Sequence, residues 1–119
     1  MTLKDCYLAL EGNYEDVLGR LYNEDLIKKV VVKFLDDPTF HDLTRAMEAG
    51  DLQEAFRLAH NLKGVCLTLA FSKLAASSIR LTEALRGGDL AAGQSFLPEV
   101  QKDYQSTIAA IRAFRAEEE

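Results

Sequence analysis

A histidine, a lysine and a glycine in the middle of this chain stand at a spacing that suits phosphate chemistry. They are His60, Lys63 and Gly64, in the stretch 59–65, and His60 is one of only two histidines. Positions i, i+3 and i+4 share one face of an α-helix, so a helix here would bring the three residues together. Imidazole is a nucleophile, lysine carries a mobile positive charge, and glycine leaves open space. The spacing therefore predicts a site that handles phosphate.

Each of the three residues also has an ordinary explanation. A lone histidine on a helix is more often a surface or half-buried side chain than a reactive group, and a solvated surface lysine is commonplace. Gly64 is more informative, because glycine inside a helix costs about 1 kcal/mol relative to alanine. Something must benefit from the missing side chain. Close packing of two helices and space for a docked partner beside His60 both remain open.

Composition narrows the class of protein. The 119 residues are 48% hydrophobic and 28% charged, as in an ordinary globular protein, and we expect a single domain over residues 1–119. The net charge is −5, which argues against nucleic acid and anionic membrane surfaces as partners. The first residues show no signal-peptide pattern and no apolar run is long enough to span a membrane. We expect a cytoplasmic protein.

The cysteines and histidines do not match a metal-binding pattern. Cys6 and Cys66 are far apart in sequence, and neither has the spacing of a metal ligand pair. A disulfide is open on count alone. Cys66 falls on an apolar helical stripe, however, which favours a buried, reduced thiol. His41 has no neighbouring ligands either, so we expect no metal site.

Apolar periodicity predicts helices along almost the whole chain. The segments expected are 3–10, 14–22, 24–36, 39–49, 52–70, 73–86 and 90–115. Four long helical segments with short connections predict an all-α fold, an antiparallel up-down four-helix bundle over residues 24–116. The short helices within residues 1–22 are too short to stand alone and are expected to cap it.

Turn and capping residues set the predicted helix boundaries. Gly50-Asp51 and Gly88-Asp89 read alike: glycine ends one helix and aspartate caps the next. Glu54 would complete a capping box with Asp51, and Ser72 is expected to cap the following helix. Pro98 lies inside the last segment, where proline predicts a kink or a break.

The residues around His60 resemble a known family. The run Ala59-His60-Asn61-Leu62-Lys63-Gly64 closely resembles the motif of the histidine-containing phosphotransfer (HPt) domain, and the resemblance extends from about residue 25 to the end of the last helix. The apolar residues after the motif fit as well, namely Leu69, Leu74, Leu81 and Leu85. The histidine box of sensor kinases differs, since an acidic residue usually follows its histidine. No ATP-binding region is recognisable, so the chain is not expected to be a kinase by itself. The resemblance implies a phosphocarrier rather than an enzyme, since the transfer chemistry needs the partner receiver domain.

The resemblance implies a role for each residue of the face. His60 would accept a phosphoryl group from an aspartyl phosphate on a response-regulator receiver domain and pass it to another receiver. Lys63 would stabilise the phosphoryl group, and Gly64 would leave room for the partner. The expected partners are receiver domains and a hybrid histidine kinase, with the chain itself a monomer. The receiver would supply Mg²⁺, so we expect no cofactor here.

The neighbouring residues are assigned less directly. We expect partner docking on the side chains that follow the same helical stripe as the histidine or adjoin it: Phe56, Asn61, Leu67 and Phe71. The family often has Asn-Leu-Gly where this chain reads Thr68-Leu69-Ala70, and a Glu or Gln facing the histidine from the next helix. The nearest candidates to orient the imidazole are Thr68, Thr82 and Glu83.

These departures leave an alternative function open. The chain would then be a non-catalytic helical adaptor, a degenerate bundle that binds a receiver or a histidine kinase without relaying phosphate. An enzyme, such as a phosphohistidine-dependent hydrolase, ranks third, because no second catalytic group stands beside His60.

Overall fold

The computed structural model describes residues 1–118, and every regular element in that range is helical. The α-helices are α1 (Leu3–Ala9), α2 (Tyr14–Leu21), α3 (Glu24–Lys33), α4 (Thr39–Glu48), α5 (Leu52–Thr68), α6 (Ser72–Arg86) and α7 (Leu90–Glu118). A 3₁₀ turn, Phe34–Asp36, continues α3. The predicted all-α class is confirmed. Glu119, the last residue of the predicted domain, lies outside the described residues. None of these helices combines the length and the apolar character that a membrane span requires.

The long helices pack side by side around one hydrophobic core. α5 contacts α4 and α6, while α7 contacts α6 and α4. α1 and α3 lie on α7, and α2 contacts both of them. The largest fully buried side chains include Leu43 and Met47 of α4, Leu62 of α5, Leu81 of α6 and Ile111 of α7. The core therefore runs between the long helices and leaves one face of α5 outward.

The two Gly-Asp pairs end and begin helices as predicted. Gly50 and Gly88 adopt the left-handed conformation, with φ of +70° and +79°, which an L side chain rarely adopts. Asp51 and Asp89 each accept a hydrogen bond from the backbone N–H three residues later, at 3.1 and 3.0 Å. These bonds satisfy donors that the first turn of a helix leaves free.

Two predicted caps differ from the structure. The capping box with Asp51 is incomplete, because the Asp51 N–H donates to the Ala46 carbonyl at 3.0 Å and the Glu54 carboxylate accepts a hydrogen bond from Arg57 Nε instead. Ser72 is the first residue of α6 rather than its cap. Phe71 holds the cap position and makes no side-chain hydrogen bond there, because a phenyl ring has no capping oxygen; its ring is buried in the core.

Pro98 does not interrupt the last helix, so the break that was one of the two predicted outcomes is absent. α7 (Leu90–Glu118) is one continuous helix that contains Pro98. Proline removes one backbone donor from the helical ladder. Here it occupies an exposed position, while Val100 and Ile111 on the same helix are fully buried. Packing of α7 against its neighbours stabilises the helix on the carboxyl side of the proline.

The connection between α5 and α6 is joined to the N-terminal helices by hydrogen bonds. The Tyr7 hydroxyl donates to the Leu69 carbonyl at 2.7 Å, and the Asn13 N–H donates to the Ala70 carbonyl at 2.9 Å. Arg20 donates to two further carbonyls at the end of α5, one of them at 3.1 Å. Ala70 itself has a φ of +57°, a strained value for a residue with a side chain.

Gly12 allows this contact to be close. A Cβ atom built on Gly12 would lie 2.6 Å from the Ala70 carbonyl oxygen and 2.8 Å from Cδ2 of Tyr7. Real Cβ atoms essentially never come so near to a backbone oxygen. The turn between α1 and α2 therefore requires glycine in order to approach the turn between α5 and α6.

We expect Gly12→Ala to lower the free energy of unfolding by about 1–3 kcal/mol, because the added methyl group overlaps the Ala70 oxygen. Gly19→Ala in α2 is the matched control, since a Cβ there meets no atom within 4 Å. That variant should be neutral or more stable by up to about 1 kcal/mol. Urea unfolding followed by circular dichroism measures both variants. Equal changes in the two would contradict the close approach at Gly12.

Candidate functional site

The core stripe of α5 determines which way His60 faces. Ala59, Leu62 and Cys66 are 0%, 1% and 0% exposed. His60 follows Ala59 and lies on the opposite side of this stripe, where its side chain is exposed. Because an α-helix is held by its own hydrogen bonds and by its buried face, the imidazole stands on a rigid support. It is open to a partner.

Gly64 lies one turn after His60 and has open space in front of it. A Cβ built there would meet no atom of residues 1–118 within 4 Å. Gly93 of α7 is different, because its Cβ would lie 2.5 Å from Leu85 Cδ2. Gly93 therefore serves helix packing, whereas Gly64 does not. Of the two explanations for Gly64 that the sequence left open, close packing of helices is excluded.

Lys63 is half-buried and forms no ion pair within the described part of the chain. It occupies the position three residues after His60, on the same face of α5. An ammonium group without a carboxylate partner is available to an incoming anion. This arrangement suits a phosphoryl group placed on the imidazole.

A groove of about 780 Å³ opens beside His60. One wall belongs to α5 and includes His60, Asn61, Gly64 and Thr68. The other wall belongs to the corner where α3 passes into the 3₁₀ turn and then α4. Its lining residues are Val30, Lys33, Phe34, Asp36, Asp37 and Pro38. The second wall therefore adds three charged residues that are distant from His60 in sequence, namely Lys33, Asp36 and Asp37.

The sequence pattern does not predict this second wall of the groove. Asp37-Pro38 marked where a helix ends, but no local spacing indicates which face of α5 the corner covers. The structure shows the link. Asn61 Nδ2 donates to the Thr39 hydroxyl at 3.2 Å, and the Thr39 N–H donates to Asp37 Oδ1 at 2.8 Å. Asn61, predicted to face a partner, is exposed and also joins α5 to the start of α4.

Phe56 contacts the histidine directly. Its ring lies 6.0 Å from the imidazole, centroid to centroid, with 26° between the ring planes. The guanidinium carbon of Arg86, at the end of α6, lies 5.2 Å from the Phe56 ring centroid. Phe56 is half-buried, so part of this side chain is covered by the protein itself.

The three residues considered as helpers of the imidazole make other bonds. Thr82 is buried, and its hydroxyl donates to the Ser78 carbonyl at 2.7 Å. Glu83 accepts a hydrogen bond from Arg86 Nε at 3.4 Å. Thr68 lines the groove, and its carbonyl accepts from Arg20. Within residues 1–118, no hydrogen bond reaches the imidazole of His60.

The predicted docking residues at the end of the stripe differ in exposure. Leu67 is 44% exposed, which leaves it accessible to a partner. The prediction that Phe71 contributes to a docking surface is wrong, because its side chain is 0% exposed. α5 ends at Thr68, so Phe71 does not continue the face that carries His60. Its ring packs instead against Tyr7 and Phe34, at 5.9 and 5.3 Å between centroids.

The thiol of α5 is buried rather than open to a partner. Cys66 is a free, buried cysteine, as is Cys6, and burial raises the pKa of the Cys66 thiol to about 12. A thiol with such a pKa stays protonated and is a poor nucleophile. No group of three or more His, Cys, Asp or Glu side chains in residues 1–118 is arranged to hold a metal ion.

Comparison with known proteins gives one match. A family model described as Hpt domain matches residues 37–113, which is more than half of the chain. The matched range holds His60, Lys63 and Gly64, and it begins after α3. Neither the comparison with curated proteins nor that with solved structures found a match.

We expect Gly64→Ala to raise the free energy of unfolding by up to about 1 kcal/mol, because alanine favours the helix and no atom lies in its way. Gly93→Ala should do the opposite, since its Cβ would overlap Leu85 Cδ2. Urea unfolding of the two variants beside the unsubstituted chain measures the difference. A loss of stability in Gly64→Ala would show that the space beside His60 is needed by the fold.

Proposed function

The chain belongs to the Hpt domain family, and from that premise we propose that it is a phosphorelay intermediate. Membership implies phosphotransfer in two-component signalling, with receiver domains and histidine kinases as partners. In the proposal, His60 takes a phosphoryl group from the aspartyl phosphate of one receiver and passes it to another. The observation that carries it is the exposed imidazole on a rigid helix, with open space at Gly64 and, on the same face, a Lys63 that has no ion pair within residues 1–118.

The proposed reaction is an exchange of bonds at phosphorus. The unprotonated nitrogen of the imidazole attacks, a nitrogen–phosphorus bond forms, and the bond from phosphorus to the receiver's carboxyl oxygen breaks. The electron pair leaves with the carboxylate. Transfer onward to a second receiver reverses these steps. Such reactions depend mainly on positioning and on neutralising charge.

The chain supplies only part of what this reaction needs. Lys63 offers a positive charge to the phosphoryl oxygens, and Gly64 leaves room for the partner's reacting carboxylate. In the proposal the receiver brings Mg²⁺, so the chain itself needs no cofactor and is a phosphocarrier rather than an enzyme. Asn61 and Leu67 remain candidate contacts of the receiver, as predicted from the sequence.

We also propose how the long helices are arranged. We place α4, α5, α6 and α7 as an antiparallel up-down four-helix bundle in a single domain over residues 1–119, with the short helices of residues 1–22 as its cap. Three connections of three residues each support this arrangement, because such short connections favour antiparallel neighbours. Contact between α4 and α7 closes the ring.

The proposed setting is a cytoplasmic monomer that binds receivers and a hybrid histidine kinase. The net charge of −5 disfavours nucleic acid as a partner. The two buried free cysteines are in keeping with a reducing compartment.

One observation favours the adaptor as a second candidate. The imidazole accepts and donates no hydrogen bond within residues 1–118, and Thr82 and Glu83 are bonded elsewhere. A bundle that binds a receiver or a histidine kinase without relaying phosphate would need no oriented imidazole. Labelling of the chain by a phosphorylated receiver domain separates the two functions.

We expect a receiver domain carrying radioactive aspartyl phosphate to label the unsubstituted chain with an acid-labile, alkali-stable phosphate. His60→Gln should abolish the label, because glutamine has no nucleophilic ring nitrogen. His41→Gln is the matched control, since His41 is an exposed histidine on α4, and it should keep the full label.

Two results would contradict the relay. Label retained in His60→Gln would place the phosphate on another residue. Receiver binding that is unaffected by His60→Ala, together with no label on the unsubstituted chain, would favour the adaptor.

We expect Lys63→Ala to slow phosphotransfer or shorten the lifetime of the phosphohistidine, because a positive charge beside the phosphoryl oxygens is lost. A charge-assisted contact of about 1.5–3 kcal/mol predicts roughly a tenfold to hundredfold loss. Lys102→Ala removes an exposed lysine from α7 and serves as the control. Single-turnover labelling and decay of the label measure both variants. An unchanged rate and an unchanged lifetime would remove Lys63 from the mechanism.

A further inference from the structure

Within residues 1–118, Phe56 is the one side chain in ring contact with the imidazole, and it is held from the neighbouring helix. Building on the proposed function, we infer that Phe56 and Arg86 are positioning residues: they set the orientation of the His60 ring for phosphotransfer. This role differs from the docking role that the sequence predicted for Phe56. It rests on three contacts that follow one another from α6 to the histidine.

The first contact is the stack of the two rings on α5. Phe56 and His60 stand at i and i+4, which places their side chains one above the other. Their centroids are 6.0 Å apart with a plane angle of 26°, within the range at which aromatic pairs attract each other. A ring in this contact restricts the torsions of the imidazole, because rotation away from the stack loses the contact.

The second and third contacts keep the Phe56 ring in place. The Arg86 guanidinium carbon lies 5.2 Å from the ring centroid, which is the geometry of a cation–π contact. Arg86 Nε in turn donates to Glu83 Oε1 at 3.4 Å. The sequence makes Glu83 a candidate to orient the imidazole directly. In the structure it acts on Arg86, so its effect on the histidine would pass through Phe56.

Stacking has a chemical advantage over a hydrogen bond at this site. A hydrogen bond from a neighbouring side chain would occupy one ring nitrogen of the imidazole. No such bond is formed within residues 1–118, so both nitrogens are left for the phosphoryl group and for water. The ring can be oriented without losing either nitrogen.

A positioning role predicts effects that a docking role does not. Loss of the stack should lower the first-order rate constant of transfer at saturating receiver by about two- to tenfold, the range that corresponds to one aromatic contact. The dissociation constant of the receiver should stay unchanged. Loss of the Arg86 guanidinium should lower the rate constant in the same direction, because Arg86 acts on the imidazole through the Phe56 ring.

The experiment compares four variants of the full chain. Phe56→Leu removes the ring but keeps an apolar side chain, and Phe56→Tyr restores a ring. Arg86→Gln removes the cation above the ring. Arg80→Gln is the matched control, because Arg80 is an exposed arginine of the same helix that pairs with Glu99 instead. Circular dichroism checks that each variant is folded.

Two measurements are made on each variant. Single-turnover transfer from a receiver charged with acetyl phosphate, one that labels the unsubstituted chain, yields the rate constant and the dissociation constant. Carbon–proton NMR of histidine-labelled chain records the ring signals of His60, which His41→Gln distinguishes from those of the second histidine. These signals are recorded on the chain alone, without a receiver domain.

We expect Phe56→Leu and Arg86→Gln to slow transfer at unchanged receiver affinity and to shift the His60 ring signals. Phe56→Tyr should restore the rate, and Arg80→Gln should change neither quantity. Unmoved His60 signals in Arg86→Gln, or a loss of affinity with an unchanged rate constant in Phe56→Leu, would overturn it and return Phe56 to docking. Absence of label on His60 in the unsubstituted chain would overturn the proposed function itself.

Discussion

Hydrogen bonds from the N-terminal helices hold the carboxyl end of α5 and the turn that follows it. The last four carbonyls of any helix are left without intrahelical donors. Here the Tyr7 hydroxyl, the Asn13 N–H and the Arg20 guanidinium donate to four consecutive carbonyls, those of residues 67–70. α1 and α2 are too short to be stable alone. They therefore gain their stability from tertiary contacts: side chains such as Leu3 and Val17 are buried in the core, and the hydrogen bonds to residues 67–70 add to this.

Aromatic packing extends this arrangement to the groove. Phe71 follows the end of α5 and contacts both Tyr7 and Phe34. Phe34 begins the 3₁₀ turn and contacts Tyr104 of α7 at 6.0 Å. The same buried ring that closes the turn after α5 therefore holds the corner that forms the second wall beside His60. Part of this wall, including Lys33 and Asp36, precedes the residues matched by the family model. It is built from this chain's own N-terminal segment.

The site itself depends on what the chain leaves free. His60 is exposed, Lys63 lacks an ion pair within the described residues, and Gly64 has no neighbour at the position of a Cβ. A phosphocarrier benefits from this openness, because the partner must reach the imidazole and the chemistry needs positioning more than burial. In the role that we propose for Phe56, its stack with the imidazole orients the His60 ring and leaves it accessible to a partner.

Much of the fold and the position of His60 could be predicted from the sequence, because the physics involved is local. The turns at Gly50 and Gly88 need a left-handed residue, the following aspartates bond within one turn, and the stripe through Ala59, Leu62 and Cys66 sets the outward face of α5. The tertiary structure alone decided the burial of Phe71, the second wall of the groove and the contact of Arg86 with Phe56. These depend on which helices meet and at what height, and helical spacing carries no information about contacts between residues distant in sequence.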